Sequence, residues 1–276
     1  PETMDELIAM AKKVKADSGG EVAGAVMRGL RTDTNIDTIS GLVFNAWGDR
    51  AIEAPYGVWF DGDWSKPRLD DPAIQKGLSD YAGLMQAGPS DILSYNWNEA
   101  GNAFCNGQAA FFADASLFGP WFETDDCPIS KGNTGYMALP PQKKGGTSYT
   151  ANWQWGIGMG ANAQEKDAGW YFIQYMTNKA SEAVIGTFHG GAGRLSTWEN
   201  DSYTSTLNPD YVSATLESMK TVRTSVVPVK DFNKYALEIM DVILDIHGGA
   251  NSADATAKGL SLIHISEPTR LRRISY

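Results

Sequence analysis

Histidine and cysteine are scarce in this chain, with three His and two Cys among 276 residues. His264 lies in a tail set aside below, so His189 and His247 alone assemble neither a zincin helix nor a three-His metal site. Basic side chains are also short in number: 23 Lys and Arg against 33 Asp and Glu give a net charge of −10. Such a surface repels a phosphate backbone, and nucleic acid is not the expected partner. No window approaches the ~18 unbroken apolar residues of a membrane-spanning helix.

Several reaction motifs are missing too. There is no G-x-S-x-G nucleophile elbow. Gly156, Gly158 and Gly160 have the wrong spacing for a dinucleotide loop, and no helix starts where a phosphate would need one. Asp61, Asp63, Asp70 and Asp71 lack calcium-loop spacing and its closing Glu, and read as a solvated turn. No cofactor, metal or catalytic residue is assigned. Cys105 and Cys127 leave three readings open: a nucleophile paired with a His such as His189, a disulfide in an exported protein, or two unrelated buried thiols.

What the chain does have is a core and many rings. Hydrophobic residues make up 42%, with 9 Trp, 11 Tyr and 10 Phe, more rings than an ordinary core requires, so some are expected to meet a ligand. Met4, Leu7, Ile8, Ala11 and Val14 form a helical stripe ended by Gly19-Gly20, with Thr3 and Glu6 as a capping box. Residues 21–30 read as a strand delivering Arg28 and Arg31 to its end. Buried helical spacing runs from Thr38 to Ala46, and Asp71-Pro72 opens a helix carrying Ile74, Leu78, Tyr81 and Met85. A helix from the Asn96 cap to Asn106 precedes a strand over 109–113 that ends at Asp114. Pro140 to Tyr149 suggests a crossover, 152–161 alternates like a strand, and helices follow over 165–178 and 231–247. Strands alternating with helices predict an α/β chain with partly parallel sheets.

Trp residues stand beside polar groups at the ends of these elements. Trp47 precedes Gly48-Asp49, Asn96-Trp97 opens a helix, Trp153 and Trp155 bracket Gln154, and His189-Gly190-Gly191 leads to Arg194. A sugar presents an apolar C–H face and a rim of hydroxyls. Indole rings suit the first; Asp, Asn and Arg suit the second through charge-assisted hydrogen bonds. Asp114, following an apolar strand, must find a polar partner or a cleft.

At these residues the sequence resembles the extracellular solute-binding proteins of carbohydrate ABC transporters, family 1, which includes maltose-binding protein, and within it the binders of monosaccharides and sugar alcohols. The resemblance is carried by PETMDELIAMAKKVK, YNWNEAGNAFCNGQAAFFADASLFGPWF, GYMALPPQKKG, NWQWGIGMGANAQEKDAGWYFIQYMTN and HGGAGRLSTWEN, colinear over nearly all of 1–259. It implies a two-lobe periplasmic-binding-protein-like α/β fold of type II that closes about a hinge. In that reading 1–147 is most of lobe two, 148–210 a return into lobe one and 211–259 a final pass to lobe two, with the start of lobe one and a short C-terminal piece absent. Leu260 to Tyr276 looks like translated sequencing adapter, a non-native tail.

Carried residue by residue, the resemblance assigns ligand contact to Arg28, Trp47, Asp114, Trp153, Trp155, Gly190, Gly191 and Arg194. The stretch 48–64 departs from the family's usual version, which touches Trp47 and Trp59. The implied function is a monomeric periplasmic or extracellular binding protein, lipid-anchored in a Gram-positive envelope, that closes on a neutral sugar or polyol between its lobes and hands it to permease subunits. Competing expectations are a binder of a charged solute, such as a phosphodiester or polyamine, and a glycoside hydrolase, whose chemistry needs a second carboxylate facing Asp114 across the sugar.

Overall fold

The computed structural model describes residues 1–189, 191–225 and 227–266. Its helices are α1 (Met4–Asp17), α2 (Ile36–Trp47), α3 (Pro72–Gln86), α4 (Trp97–Cys105), α5 (Phe118–Phe122), α6 (Lys166–Thr177), α7 (Lys179–His189), α8 (Leu195–Trp198), α9 (Asp201–Thr204), α10 (Pro209–Met219), α11 (Phe232–His247) and α12 (Ser252–Ser266). The strands are β1 (Ala23–Val26), β2 (Ala109–Phe112), β3 (Thr150–Asn152) and β4 (Val222–Thr224). The chain divides into two compact units, one of residues 1–114, 139–152 and Thr221 onward, the other of 115–138 and 153–220.

The first unit is built on two parallel pairs, β1 with β2 and β3 with β4. Parallel strands need crossovers, and helices supply them. Met4, Leu7 and Ala11 of α1, Ile39, Val43 and Phe44 of α2, Ile74, Leu78 and Tyr81 of α3, and Ile239, Met240 and Ile243 of α11 meet in one core. Helices α2 and α3 cross so closely that a Cβ at Gly77 would stand 2.6 Å from the Val43 Cα.

Capping follows the sequence. The Thr3 Oγ1 accepts the Glu6 N–H at 3.2 Å, and Glu6 reaches back to the Glu2 N–H at 2.7 Å. Asp71 accepts the Ala73 N–H at 2.9 Å ahead of Pro72. The Pro140–Tyr149 stretch is tied to the first unit: the Asn45 amide donates to the Pro140 carbonyl at 2.8 Å, and the Met4 N–H to that of Pro141 at 3.0 Å.

In the second unit, Ala192, Trp198, Tyr203 and Tyr211 form a small aromatic core, with Trp198 and Tyr203 edge to face at 5.4 Å. The strand expected over 152–161 is corrected: β3 stops at Asn152, and residues 153–160 pair with no strand among the described residues. Alternation marks an extended segment, but only a partner makes it a strand.

Candidate functional site

Register brings Arg28 and Asp114 together. Val26 pairs with Phe112, so the residues two beyond each strand end lie side by side, at the carboxyl edge where α/β sheets place their sites. Arg28 Nε donates to Asp114 Oδ2 at 2.8 Å and Nη2 to Asp114 Oδ1 at 3.0 Å. Nη2 also donates to Asp37 Oδ1 and to Thr38 Oγ1, both at 2.6 Å, and Nη1 to the Thr34 carbonyl at 3.0 Å. The Trp97 ring lies 4.0 Å from the guanidinium carbon. The Tyr81 hydroxyl donates to the Arg28 carbonyl at 2.6 Å.

Arg28 and the Asp114 carboxylate are 0% and 1% exposed. Burial alone would push the guanidinium down; Asp114 and then Asp37 outweigh it and hold Arg28 above its ordinary value. Burial pushes the Asp37 carboxyl up, opposed by Arg28 and reinforced by Asp114. A buried ion cluster of this kind holds its strand ends at a cost in desolvation, and losing one member is severe. Contact of Arg28 or Asp114 with a ligand is accordingly a proposal that requires the cluster to open.

Trp47 is buried in the first unit. Its indole Nε1 donates to the Ala51 carbonyl at 3.2 Å, and Arg50, paired through both terminal nitrogens with Asp71, stacks 3.6 Å over its ring. Arg223 stacks likewise on Tyr149 at 3.7 Å and donates to the Gly48 carbonyl at 2.9 Å.

The second unit holds the remaining expected contacts. Trp153 and Trp155 meet edge to face at 6.5 Å, and Trp155 is 86% exposed. Between them, Gln154 Nε2 donates to the Gly193 carbonyl at 3.3 Å, which joins the Trp segment to the 191–194 turn. A Cβ at Gly193 would fall 2.4 Å from Gln154 Nε2, so a larger residue there would push the Gln154 side-chain end away. Gly191 takes φ 75°, a left-handed conformation that favours glycine; Gly190 lies outside the described residues. Arg194 pairs through Nε with Glu182 Oε2 at 2.9 Å and donates from Nη2 to the Thr177 carbonyl at 2.5 Å.

Thus Trp153, Trp155, Gly191 and Arg194 gather in the second unit, Arg28 and Asp114 in one cluster of the first, and Trp47 with Arg50 in another part of the first. Asp37, Thr38 and Glu182 escaped sequence reasoning. Asp37 and Thr38 offered a weak signal, an acid and a hydroxyl in the first turn of α2; Glu182 offered none, since its partner is fixed by folding.

Both cysteines are disulfide-bonded, which removes the nucleophile and the free-thiol readings. No group of three metal-ligating side chains occurs among the described residues, and none of their helices is long and apolar enough to cross a membrane.

This α/β architecture is the periplasmic-binding-protein fold, and solved structures share it. A ribitol-bound ABC transporter solute-binding protein from Agrobacterium radiobacter K84 has a TM-score of 0.76 at 20% identity, over 96% of this chain and 65% of its own. A D-mannitol-bound one from Agrobacterium vitis S4 scores 0.72 at 22% identity, over 96% and 66%. Maltose-bound MalE3 of T. maritima scores 0.77 at 21%, over 96% and 66%. The chain thus spans just under two thirds of these proteins' length. Residues 1–183 match the model of the bacterial extracellular solute-binding protein family, and the chain belongs to that family, which is non-catalytic. No curated protein matches the sequence.

Proposed function

We propose that the complete protein is the substrate-binding component of an ABC importer, taking a neutral sugar or sugar alcohol into its cleft and delivering it to permease subunits outside the cytoplasm. The observation that carries this reading is the exposed Trp155, with Trp153 edge to face beside it and Gln154, between the two in sequence, bonded to the Gly193 carbonyl. An uncovered indole beside planar polar groups suits a ligand that is apolar on one face and hydroxylated at its rim. The ligands of the ribitol-, mannitol- and maltose-bound neighbours are of this chemistry. The oxidised cysteines favour export, since disulfides persist in oxidising compartments.

On this reading Trp153, Trp155, Gly190, Gly191 and Arg194 touch the ligand. Trp47, Arg28 and Asp114 join them only where side chains rearrange on binding. A hydrolase finds little support: Asp37 and Asp114 share one buried guanidinium instead of flanking a sugar.

The test is titration of the complete protein by calorimetry with ribitol, D-mannitol, maltose and their phosphorylated counterparts. Binding of a neutral member is expected, weakened roughly 2- to 12-fold in Trp155→Ala if one ring contact contributes about 0.5–1.5 kcal/mol. Binding of phosphorylated members alone, or of none, overturns the reading.

A further inference from the structure

Among the described residues, every arginine but one is paired with a carboxylate. Arg28 meets Asp37 and Asp114, Arg31 meets Asp241, Arg50 meets Asp71, Arg68 meets Asp61 and Arg194 meets Glu182. Arg223, in β4, is the exception. Its guanidinium lies 3.7 Å over the Tyr149 ring, and Nη2 donates to the Gly48 carbonyl at 2.9 Å. Its Nη1 is buried and has no hydrogen-bond partner among the described residues. Asp49 is near enough to act on Arg223 electrostatically, but its Oδ1 accepts the Tyr149 hydroxyl instead. Burial, opposed by Tyr149 and Asp49, holds the guanidinium below its ordinary value. A buried donor left without an acceptor is costly, and native proteins seldom keep one unless water or a ligand meets it.

Arg223 borders an open cavity of about 420 Å³, whose other walls are Asp49, Arg50, Ala51, Ile52 and Thr224. Arg50 spends both terminal nitrogens on Asp71, which leaves Arg223 to supply the spare guanidinium donor. We propose that this cavity binds a small monocarboxylate with a short aliphatic body, separately from the Trp153–Trp155 segment of the second unit. One carboxylate oxygen accepts from Arg223 Nη1, a charge-assisted bond of the stronger kind. The alkyl body lies on Ala51 and Ile52, and the Thr224 hydroxyl stands at the exposed rim. Stacking on Tyr149 and the bond to Gly48 already fix the guanidinium plane, so little further ordering is needed on binding. Phosphate fits less well, because its second charge meets Asp49 and its oxygens meet the Ala51 and Ile52 walls. The site does not rest on the carbohydrate reading, since all its residues belong to the first unit.

Calorimetric titration of the complete protein with butyrate, butyramide and inorganic phosphate tests this. Butyrate should bind, and butyramide, of the same size but uncharged, should bind roughly 10-fold more weakly or worse. Arg223→Gln should weaken butyrate binding roughly 10- to 100-fold. Thr224→Glu, an exposed change that carries the test should Arg223→Gln unfold the chain, should weaken it roughly 2- to 5-fold by like charge at the rim, an effect that fades in high salt. Absence of butyrate binding means that water satisfies Nη1, and overturns the inference. Equal binding of butyramide, tighter binding of phosphate, or butyrate binding indifferent to the substitutions overturns it as well.

Discussion

Arg28 stands between two acids with no exposed side-chain surface, so its charge serves the fold first. Arg28→Leu would strand Asp37 and Asp114 as buried carboxylates without a cation. An expected loss of about 3–5 kcal/mol follows, read as a fall in the urea midpoint, and part of it should return as the pH is lowered and Asp37, whose carboxyl burial pushes up, protonates. Asp71 carries the opposite pH signature from Asp37. Arg50, more than any other group, holds its carboxyl below the ordinary 3.8, with the Ala73 N–H assisting against partial burial. Its contribution is thus complete above that ordinary value and fades as the pH falls through the lowered one. Asp37, held high by burial, favours the fold at low pH and ceases to do so as the pH rises through its raised value. Asp71→Ala removes both the cap of α3 and the Arg50 pair, and should cost about 1–2 kcal/mol at neutral pH, with a flatter acid limb of the stability curve than the parent.

Helix packing is most constrained at the α2–α3 crossing. Gly77→Ala improves intrinsic helix propensity by about 1 kcal/mol, but the new methyl would stand 2.6 Å from the Val43 Cα and 2.8 Å from its Cγ2. Overpacking of the methyl against the Val43 backbone and side chain should prevail, for a net loss on the order of 1–2 kcal/mol in chemical denaturation. A stability unchanged or raised would mean that α2 yields more readily than close-packed helices do. At the β1–β2 pair the geometry is equally decisive: parallel pairing in the observed register, and no other, sets Arg28 beside Asp114.

For the molecule as a whole, the oxidised cysteines offer a direct check. Thiol titration of unreduced, urea-unfolded protein should find no free thiol, and reduction should lower stability by about 2–4 kcal/mol. Full reactivity of both thiols without reductant would remove the argument from disulfides to an exported protein.

Local chemistry was legible in the sequence: the Thr3, Asp71 and Asn96 starts of α1, α3 and α4, the apolar stripe of α11, and the family carried by segments spread over the chain. These depend on neighbours three or four residues away or on composition, which a sequence displays directly. The fate of side chains whose partners are distant was decided by tertiary structure. Asp114 needed a polar partner by any reading of its strand, but that the partner is Arg28, 86 residues away, follows only once β1 and β2 lie parallel in register. Trp47 and Trp155 look alike in sequence, each an indole beside a glycine. Folding stacks an arginine on the first and leaves the second bare, because burial is set by what the rest of the chain packs against each ring.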